Sequence, residues 1–337
     1  MSVYVLPSFT PAQRERLRAA AGSVPVLFAE DCDEEQRRAA FRAATAIVGE
    51  PKPETLADAP NLRWIQMTWA GADLYTKAPW FPDNVLVSCA TGAFGGVIAE
   101  YILGAVLLRL RHLDAYVRQQ ERGVWRPQLS GKGIEGATVL IVGAGDIGTE
   151  LAKRLRPFLP KAVIGVRRTA REKPDCFDEM YTMEALPRLW GRADVVVCAL
   201  PNTAETRGLL SREVLWSMKN TALLVNVGRG TLLDPDVLNA VLESGHLAGA
   251  VLDVTNPEPL PPEHPLWRRE DVLITPHVAG ASFGDVPETT EKIVEIVCRN
   301  LKKFLHGEQP DNLVDFATGY RTLNITQAQK IKGLLDF

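Results

Sequence analysis

Three side chains of complementary chemistry each follow an apolar run in the C-terminal half of the chain. Arg229 follows "ALLVNV", Glu258 follows "GAVLDV", and His277 ends "VLITP". If these runs are parallel strands, the three side chains emerge at the carboxyl edge of one sheet. There a guanidinium could stabilise negative charge on a carbonyl oxygen, an imidazolium could donate a proton to it, and a carboxylate could fix the imidazole ring. Each of these residues taken alone more often has a purely structural role, such as an ion pair. The chemistry of the three together requires no metal ion.

A glycine-rich turn could bind a dinucleotide. In "VLIVGAGDIG", Gly143, Gly145 and Gly148 directly follow an apolar run and open the helical pattern "DIGTELAKRLRPF". This context predicts a tight turn at Gly143, close approach of a pyrophosphate at Gly145, and close packing of the helix on the sheet at Gly148. The helix N-terminus would then face the phosphates. A purely structural strand-to-helix turn is the alternative.

The next apolar run, "AVIGV", ends on Arg167 and Arg168. In dinucleotide-binding folds an Asp or Glu about 20 residues past the glycines accepts hydrogen bonds from the ribose hydroxyls. A carboxylate would repel a 2′-phosphate, whereas guanidinium groups can bind it in bidentate fashion. The two arginines therefore favour NADP(H) over NAD(H), unless they are surface residues without a ligand.

Short apolar runs alternate with helical patterns, as in parallel sheets covered by helices. A first series precedes a long helical pattern from about Gly96 to Gln120, and a second begins at Thr138 and ends before "PETTEKIVEIVCRNLKKFLHG". This last helix would return the chain to the first domain. We therefore predict an α/β protein with two doubly wound parallel-sheet domains, formed by residues 1–96 with 284–337 and by residues 97–283.

Composition excludes several classes of protein. Of 337 residues, 46% are apolar and 23% are charged, which is ordinary for a globular protein of about two domains. The 38 basic and 41 acidic residues nearly cancel, which argues against a nucleic-acid or membrane-surface binder. The five cysteines form no CxxC pair, so we expect no zinc site and a reducing cytoplasm. We expect no signal peptide, and "VIAEYILGAVLL", which contains Glu100, falls short of a membrane span.

Five motifs resemble the D-isomer-specific 2-hydroxyacid dehydrogenase family, and within it the glyoxylate/hydroxypyruvate reductases. They are "VGAGDIG", "LPNTAETRGLL", "NVGRGTLLD", "LDVTNPEPLP" and "TPHVAG". The resemblance covers essentially the whole chain. It implies a Rossmann cofactor domain, a flavodoxin-like substrate domain and a homodimer built around the long helix near Gly96. The implied reaction is the reduction of small 2-oxo acids such as glyoxylate and hydroxypyruvate to 2-hydroxy acids, and Arg167 and Arg168 favour NADPH as the reductant.

The resemblance also implies roles for single residues. Arg229 would bind the carboxylate and keto oxygen of a 2-oxo acid, His277 would donate the proton, and Glu258 would orient His277. Asp253 would contact the nicotinamide amide. Other implied cofactor contacts, besides the three glycines and the two arginines, are Asp146, Ile147, Pro201, Thr206, Val227, Gly228, Ala279 and Gly280.

The segment "TWAGAD" is similar to the family's substrate loop. Its backbone N–H groups at Ala70 and Gly71 would hold the substrate carboxylate. Trp69 stands where relatives often have glycine. We expect it to narrow the pocket toward small substrates, unless it is a packing residue turned away from the substrate. The earlier segment "VGEPKP" lacks an aromatic residue that some relatives have near the substrate.

Two other functions remain open on the same scaffold. One is a nucleotide-sensing corepressor or binding protein, and the other is a dehydrogenase of another small acid such as formate. The set of Arg229, Glu258 and His277 favours an enzyme over a binding protein. Formate dehydrogenases of this scaffold replace the carboxylate paired with the histidine, and Glu258 is present here.

Overall fold

The chain forms two compact units, each built around a parallel sheet. The computed structural model describes residues 1–76, 78, 81–127, 131–281, 284–316 and 320–321. One unit comprises Met1–Ala93 with Phe283–Phe337, and the other comprises Phe94–Ser282. The α/β class with two doubly wound sheets is confirmed. The roles of the units as substrate and cofactor domains stay predictions, and the tail 322–337 lies outside the described residues.

The first unit contains a five-stranded parallel sheet in the order β2-β1-β3-β4-β5. This is the order of flavodoxin-like sheets. Its strands are β1 Val3–Val5, β2 Val26–Phe28, β3 Ala46–Val48, β4 Trp64–Gln66 and β5 Leu86–Ser88. Its helices are α1 Pro11–Ala21, α2 Glu34–Ala43, α3 Asp73–Thr76 and, later in the chain, α10 Pro287–Leu305.

Helix α10 belongs to the first unit through both packing and polar contacts. It packs on α1 and β4. Buried Asn300 donates to the side chain of Gln66 at 2.8 Å, and Gln13 donates to Glu291 at 2.7 Å. Buried amides are stable only when they are hydrogen-bonded, so these pairs tie the C-terminal helix specifically to the N-terminal sheet.

The second unit contains a seven-stranded parallel sheet in the order β12-β11-β10-β9-β6-β7-β8. The direction of winding reverses between β6 and β9, which is where dinucleotides bind in such sheets. Its strands are β6 Thr138–Val142, β7 Ala162–Arg167, β8 Glu179–Thr182, β9 Val195–Cys198, β10 Leu223–Asn226, β11 Gly249–Leu252 and β12 Val272–Ile274. Its helices are α4 Gly95–Leu110, α5 Leu113–Glu121, α6 Asp146–Leu155, α7 Leu186–Leu189, α8 Arg212–Ser217 and α9 Pro235–Glu243.

Alternating side chains of this sheet form one core, in which Leu140, Val196 and Leu224 pack with Trp190 and with Leu238 of α9. Helices α4 and α6 contact the sheet as well, and they pack on each other. Because both faces are covered, strands β6, β9, β10 and β11 are buried throughout. Continuous apolar strands are what a doubly covered parallel sheet requires.

Local capping explains where several helices begin. Thr10 and Asp33 each form a capping box with a glutamine three residues later, ahead of α1 and α2. Asp234 caps α9 and is followed by Pro235 in the first turn, a position where proline is tolerated because its missing N–H has no helical partner. These signals stand in the sequence, and they fix the helix starts.

The segment predicted as helical from about Gly96 to Gln120 is helical almost throughout, but it is not one continuous helix. The chain forms α4 and α5 as separate helices, and His112 between them adopts a left-handed backbone conformation with φ of 56°. A reversal of φ at one residue ends the α-helical hydrogen-bonding pattern while leaving the pattern of apolar residues intact. The break was therefore invisible in the sequence pattern.

In the described ranges, no helix combines the length and the apolar character that crossing a lipid bilayer requires. Within the same ranges, no three side chains of histidine, cysteine, aspartate or glutamate come together as a set of metal ligands.

Candidate active site

His277 and Glu258 form a hydrogen-bonded pair in the second unit. The Nδ1 atom of His277 lies 2.6 Å from Oε1 of Glu258. Both side chains are partly exposed, His277 to 46% and Glu258 to 43%. The carboxylate therefore holds one ring nitrogen, and Nε2 is the nitrogen that remains for a reacting group. The sequence predicted these residues at neighbouring strand ends, and the structure brings them together.

A second carboxylate, Asp253, organises the loop that carries His277. Asp253 is 2% exposed, and its Oδ1 accepts hydrogen bonds from the Thr275 hydroxyl at 2.6 Å and the Val278 N–H at 2.9 Å. Its Oδ2 accepts from the Ala279 N–H at 3.0 Å. The predicted contact of Asp253 with the nicotinamide amide stays a prediction, and the contacts seen are those of a residue that positions the loop.

The backbone of His277 itself is held in a left-handed conformation, with φ of 55°. This conformation costs about 1–2 kcal/mol for a residue with a Cβ. The His277 N–H donates to the carbonyl oxygen of Asp253 at 2.8 Å, and the loop contacts of Asp253 offset the cost. Strain that the surroundings maintain in this way is common at sites where a side chain must be aimed.

Tyr101 of α4 extends this network, and the sequence motifs did not indicate it. Its hydroxyl lies 2.5 Å from the hydroxyl of Thr275, which donates to Asp253. Burial raises the pKa of Tyr101 to about 12, so the phenol is neutral at physiological pH. The loop that carries His277 is thus linked to α4 through hydroxyl groups.

Arg229 lies on a turn that two glycines make possible. A Cβ at Gly228 would lie 2.6 Å from the backbone nitrogen of Leu200, and one at Gly230 would lie 2.7 Å from Cα of Thr255. A side chain at either position would collide with a neighbouring backbone segment, so both positions require glycine. The Arg229 guanidinium donates to the carbonyl oxygen of Gly228 at 2.8 Å.

Asn226, at the end of β10, stabilises the same turn, and no sequence motif had indicated this role. Its Oδ1 accepts from the Gly228 N–H at 3.1 Å, and its Nδ2 donates to the Arg229 carbonyl oxygen at 3.0 Å. The residue is 1% exposed. A polar residue ending an otherwise apolar strand was the signal that could have revealed this role.

The glycine loop has the shape that a pyrophosphate requires. Gly143 has φ of 107°, and a Cβ there would collide with the backbone of Ala199. A Cβ at Gly148 would lie 2.9 Å from Ile141, so only glycine lets α6 pack this closely on β6. Space in front of Gly145 is open, with no atom within 4 Å of a Cβ placed there. This opening at the N-terminus of α6 fits the phosphates of a dinucleotide.

Asp146 and Ile147 begin α6, and both are partly buried. A Cβ added at Gly95 would meet the Asp146 carboxyl group at 2.9 Å, so this side chain lies against α4. An acidic residue in the first turn is also stabilised by the helix dipole. Their predicted contacts with the cofactor stay predictions.

The two arginines after β7 have different surroundings. The Nη2 atom of Arg167 donates to the carbonyl oxygens of Arg171 and, at 2.8 Å, of Glu172. Burial, together with nearby Arg171, lowers the pKa of Arg167. Arg168 is exposed. Arg167 therefore orders the loop after the strand, and Arg168 is the side chain that faces solvent from it.

The remaining predicted cofactor residues line the ends of neighbouring strands. Thr206 closes the turn after β9 by donating to the Pro201 carbonyl oxygen at 2.6 Å. Val227 is buried and extends β10, since its N–H donates to Cys198 at 3.0 Å. Ala279 is buried, and Gly280 lies near Phe94.

The predicted substrate loop lies in the first unit, directly after β4. Trp69 is 51% exposed, and its carbonyl oxygen accepts from the Ala90 N–H at 2.8 Å. Ala70 and Gly71 are partly buried. Within the described part of the chain, their N–H groups donate to no other residue. Such amides suit a carboxylate ligand.

A family model described as "D-isomer specific 2-hydroxyacid dehydrogenase, NAD binding domain" matches residues 103–279. A glyoxylate reductase from Thermofilum pendens is 32% identical over 284 residues, which is 83% of this chain and 81% of that protein. The family-model match includes the glycine loop, Arg229, Glu258 and His277.

Solved structures are similar over nearly the whole length. A D-isomer specific 2-hydroxyacid dehydrogenase family protein from Aeromonas salmonicida aligns with a TM-score of 0.81 and 34% identity, covering 94% of this chain and 99% of that one. An NADPH-dependent glyoxylate/hydroxypyruvate reductase from Sinorhizobium meliloti, in complex with NADP and sulfate, aligns with a TM-score of 0.79 and 27% identity, covering 95% and 100%.

Proposed function

The chain belongs to the D-isomer-specific 2-hydroxyacid dehydrogenase family and is an NAD(P)-dependent enzyme, and we propose that it reduces glyoxylate and hydroxypyruvate with NADPH in preference to NADH. The predicted resemblance to this family is confirmed. The choice of substrates is supported by the names of the relatives from Thermofilum pendens and Sinorhizobium meliloti.

The observation that carries the proposal is the 2.6 Å contact between His277 and Glu258 in the unit that holds the glycine loop. A carboxylate at Nδ1 fixes the orientation of the ring. The other nitrogen, Nε2, can then give its proton to the keto oxygen. Arg229 provides a guanidinium at the neighbouring strand end, where it stabilises the negative charge that develops on that oxygen.

The residues that would hold the cofactor are those of the glycine loop and the loop after β7. The open space at Gly145 and the N-terminus of α6 fit the pyrophosphate, and Arg168 fits a 2′-phosphate. When bound, the reduced nicotinamide supplies a hydride. The protein supplies the proton at His277 and the charge at Arg229.

NADPH should support a kcat/KM at least about tenfold higher than NADH does. The difference corresponds to roughly 1.4 kcal/mol, which one charge-assisted hydrogen bond can supply. Arg168→Ala should remove most of this preference by raising KM for NADPH, with NADH kinetics as the internal control. Steady-state kinetics with both cofactors measure it. Equal use of the two cofactors by the parent, or an unchanged preference after replacing both Arg167 and Arg168, would contradict the assignment.

Trp69 should restrict the size of the substrate. Its N–H donates to Glu50 and its carbonyl oxygen accepts from Ala90, while its indole is exposed. The ring can therefore cover a ligand bound at the neighbouring amides. We expect Trp69→Ala to gain activity on branched or aromatic 2-oxo acids relative to glyoxylate. Ratios of kcat/KM across a series of side-chain sizes measure this effect. A variant that gained nothing on the bulky acids would show that the ring packs away from the substrate.

A homodimer stays a prediction, and exposed apolar side chains near α5 support it. Leu113, Tyr116 and Val117 of α5 are exposed, and Trp125 beyond its end is fully exposed. Apolar surface of this kind marks contact sites between proteins.

The proposed function is tested by a panel of substrates with both reduced cofactors. Glyoxylate, hydroxypyruvate, pyruvate and bulkier 2-oxo acids are offered to the purified protein, and cofactor oxidation is followed together with formation of the 2-hydroxy acid. We expect turnover, fastest on the two smallest hydrophilic acids. Cofactor binding without turnover on any acid would favour the nucleotide-sensing alternative, and formate oxidation would favour the other dehydrogenase.

A further inference from the structure

A carboxylate in the first unit contacts the start of the predicted substrate loop. Oε1 of Glu50 accepts hydrogen bonds from the N–H groups of Thr68, at 2.6 Å, and Trp69, at 3.2 Å. The Thr68 hydroxyl lies 3.1 Å from Oε1 and 3.2 Å from Oε2. Glu50 lies in the segment "VGEPKP", and none of the predicted roles uses it.

The turn before Glu50 explains why it reaches this loop. Gly49 has φ of 114°, and its N–H donates to the Gln66 carbonyl oxygen at 2.9 Å. A Cβ at this position would lie 2.9 Å from Cβ of Leu6. Glycine therefore extends the pairing of β3 with β4 by one residue and then turns the chain, which brings Glu50 to Thr68.

The contacts of Glu50 leave the next two amides available. Thr68 is 1% exposed, and Trp69 is fixed a second time through its carbonyl oxygen, which accepts from Ala90. Ala70 and Gly71 follow at once, and in the described part of the chain their N–H groups donate to no other residue. The loop is thus anchored immediately before the amides that would bind a carboxylate.

The Glu50 side chain accepts these bonds in a partly buried place. Burial raises the pKa of Glu50, and the hydrogen bonds from Thr68 and Trp69 act in the opposite direction. Hydrogen bonds to a charged acceptor are about twice as strong as neutral ones. Removing the acceptor would leave the buried Thr68 N–H without a hydrogen-bond partner, and an unpaired buried donor destabilises the folded loop.

We propose that Glu50 is a positioning residue, which holds Thr68 and Trp69 so that the Ala70 and Gly71 N–H groups bind the carboxylate of the 2-oxo acid. The inference rests on the proposed function, since it names how that substrate is held. Glu50 does not touch the reacting atoms. Its loss therefore affects substrate binding more than the chemical step.

The test compares Glu50→Ala and Glu50→Gln with Glu54→Gln, a matched control at an exposed glutamate nearby. We expect Glu50→Ala to raise KM for glyoxylate about tenfold or more, while kcat falls less than threefold and KM for NADPH is unchanged. A tenfold change corresponds to about 1.4 kcal/mol. Glu50→Gln keeps a carbonyl oxygen as acceptor, so its KM should lie between those of the parent and Glu50→Ala. Glu54→Gln should behave like the parent.

Amide hydrogen exchange provides a readout that does not depend on activity. Exchange at Thr68 and Trp69 should be faster in Glu50→Ala than in the parent and Glu54→Gln, with unchanged exchange in β1 and β3 as evidence of an intact fold. Unchanged exchange at Thr68 and Trp69, or an unchanged KM for glyoxylate in an active protein, would overturn the inference. If the parent reduced no 2-oxo acid, the proposed function would fail, and exchange would still decide whether Glu50 holds the loop.

Discussion

Replacing His277 by alanine should lower kcat for 2-oxo acid reduction by about 10²- to 10⁴-fold, the usual contribution of one general acid. The keto oxygen needs a proton as its carbon is reduced, and Nδ1 of His277 is already held by Glu258 at 2.6 Å. The loss should appear in kcat, because His277 acts in the chemical step, with NADPH affinity little changed. Steady-state kinetics and a cofactor titration measure the two quantities.

A matched control exists in the same unit. His264 also pairs with a carboxylate, since its Nε2 lies 3.2 Å from Asp236, and it has no place in the proposed chemistry. His264→Ala should therefore retain near-parental kcat. Glu258→Gln should keep partial activity, because an amide can still orient the ring. Near-normal turnover in His277→Ala would show that another group supplies the proton.

Replacing Arg229 by glutamine should lower kcat/KM for 2-oxo acids by about 10²- to 10³-fold. Removing one preorganised donor to a developing oxyanion has an effect of this size. Arg229→Lys should recover only part of the loss, since an ammonium lacks the planar fork that matches a 2-oxo acid. The measurement is kcat/KM for glyoxylate at saturating NADPH.

Arg212, an exposed residue in the first turn of α8, provides the control for this change. Arg212→Gln should leave kcat/KM unchanged. If Arg229→Gln behaved like Arg212→Gln, then Arg229 would only stabilise the turn on which it lies. Other groups would then have to stabilise the oxyanion.

The sequence predicted the parts of the fold that depend on local patterns. The strands β6, β9, β10 and β11 are continuous apolar runs because both faces of the sheet are covered, so their strand ends could be predicted. Residues that follow adjacent parallel strands must emerge at one edge. That geometric rule predicts Arg229, Glu258 and His277 as a group, and the structure places Glu258 and His277 in contact.

The contacts that hold the His277 loop in the second unit and the predicted substrate loop in the first unit could not be predicted in the same way. Tyr101 and Thr275 are 174 residues apart, and Glu50 and Thr68 are 18 apart, so no motif of fixed spacing contains either pair. Such contacts depend on how the chain is folded and on side-chain orientation. The sequence position of Arg167 likewise did not reveal that its guanidinium binds backbone carbonyl oxygens, and its contact with a cofactor stays a prediction.

The most direct test of the central claim is the pH dependence of both directions of the reaction, measured with glyoxylate and NADPH and with the 2-hydroxy acid and NADP⁺. Reduction requires the protonated imidazole of His277, and oxidation requires the neutral imidazole as base. We predict that kcat for reduction falls as pH rises while kcat for oxidation increases, and that both trends are lost in His277→Ala. Parallel trends in the two directions, or the same profiles in the variant, would contradict His277 as the proton donor.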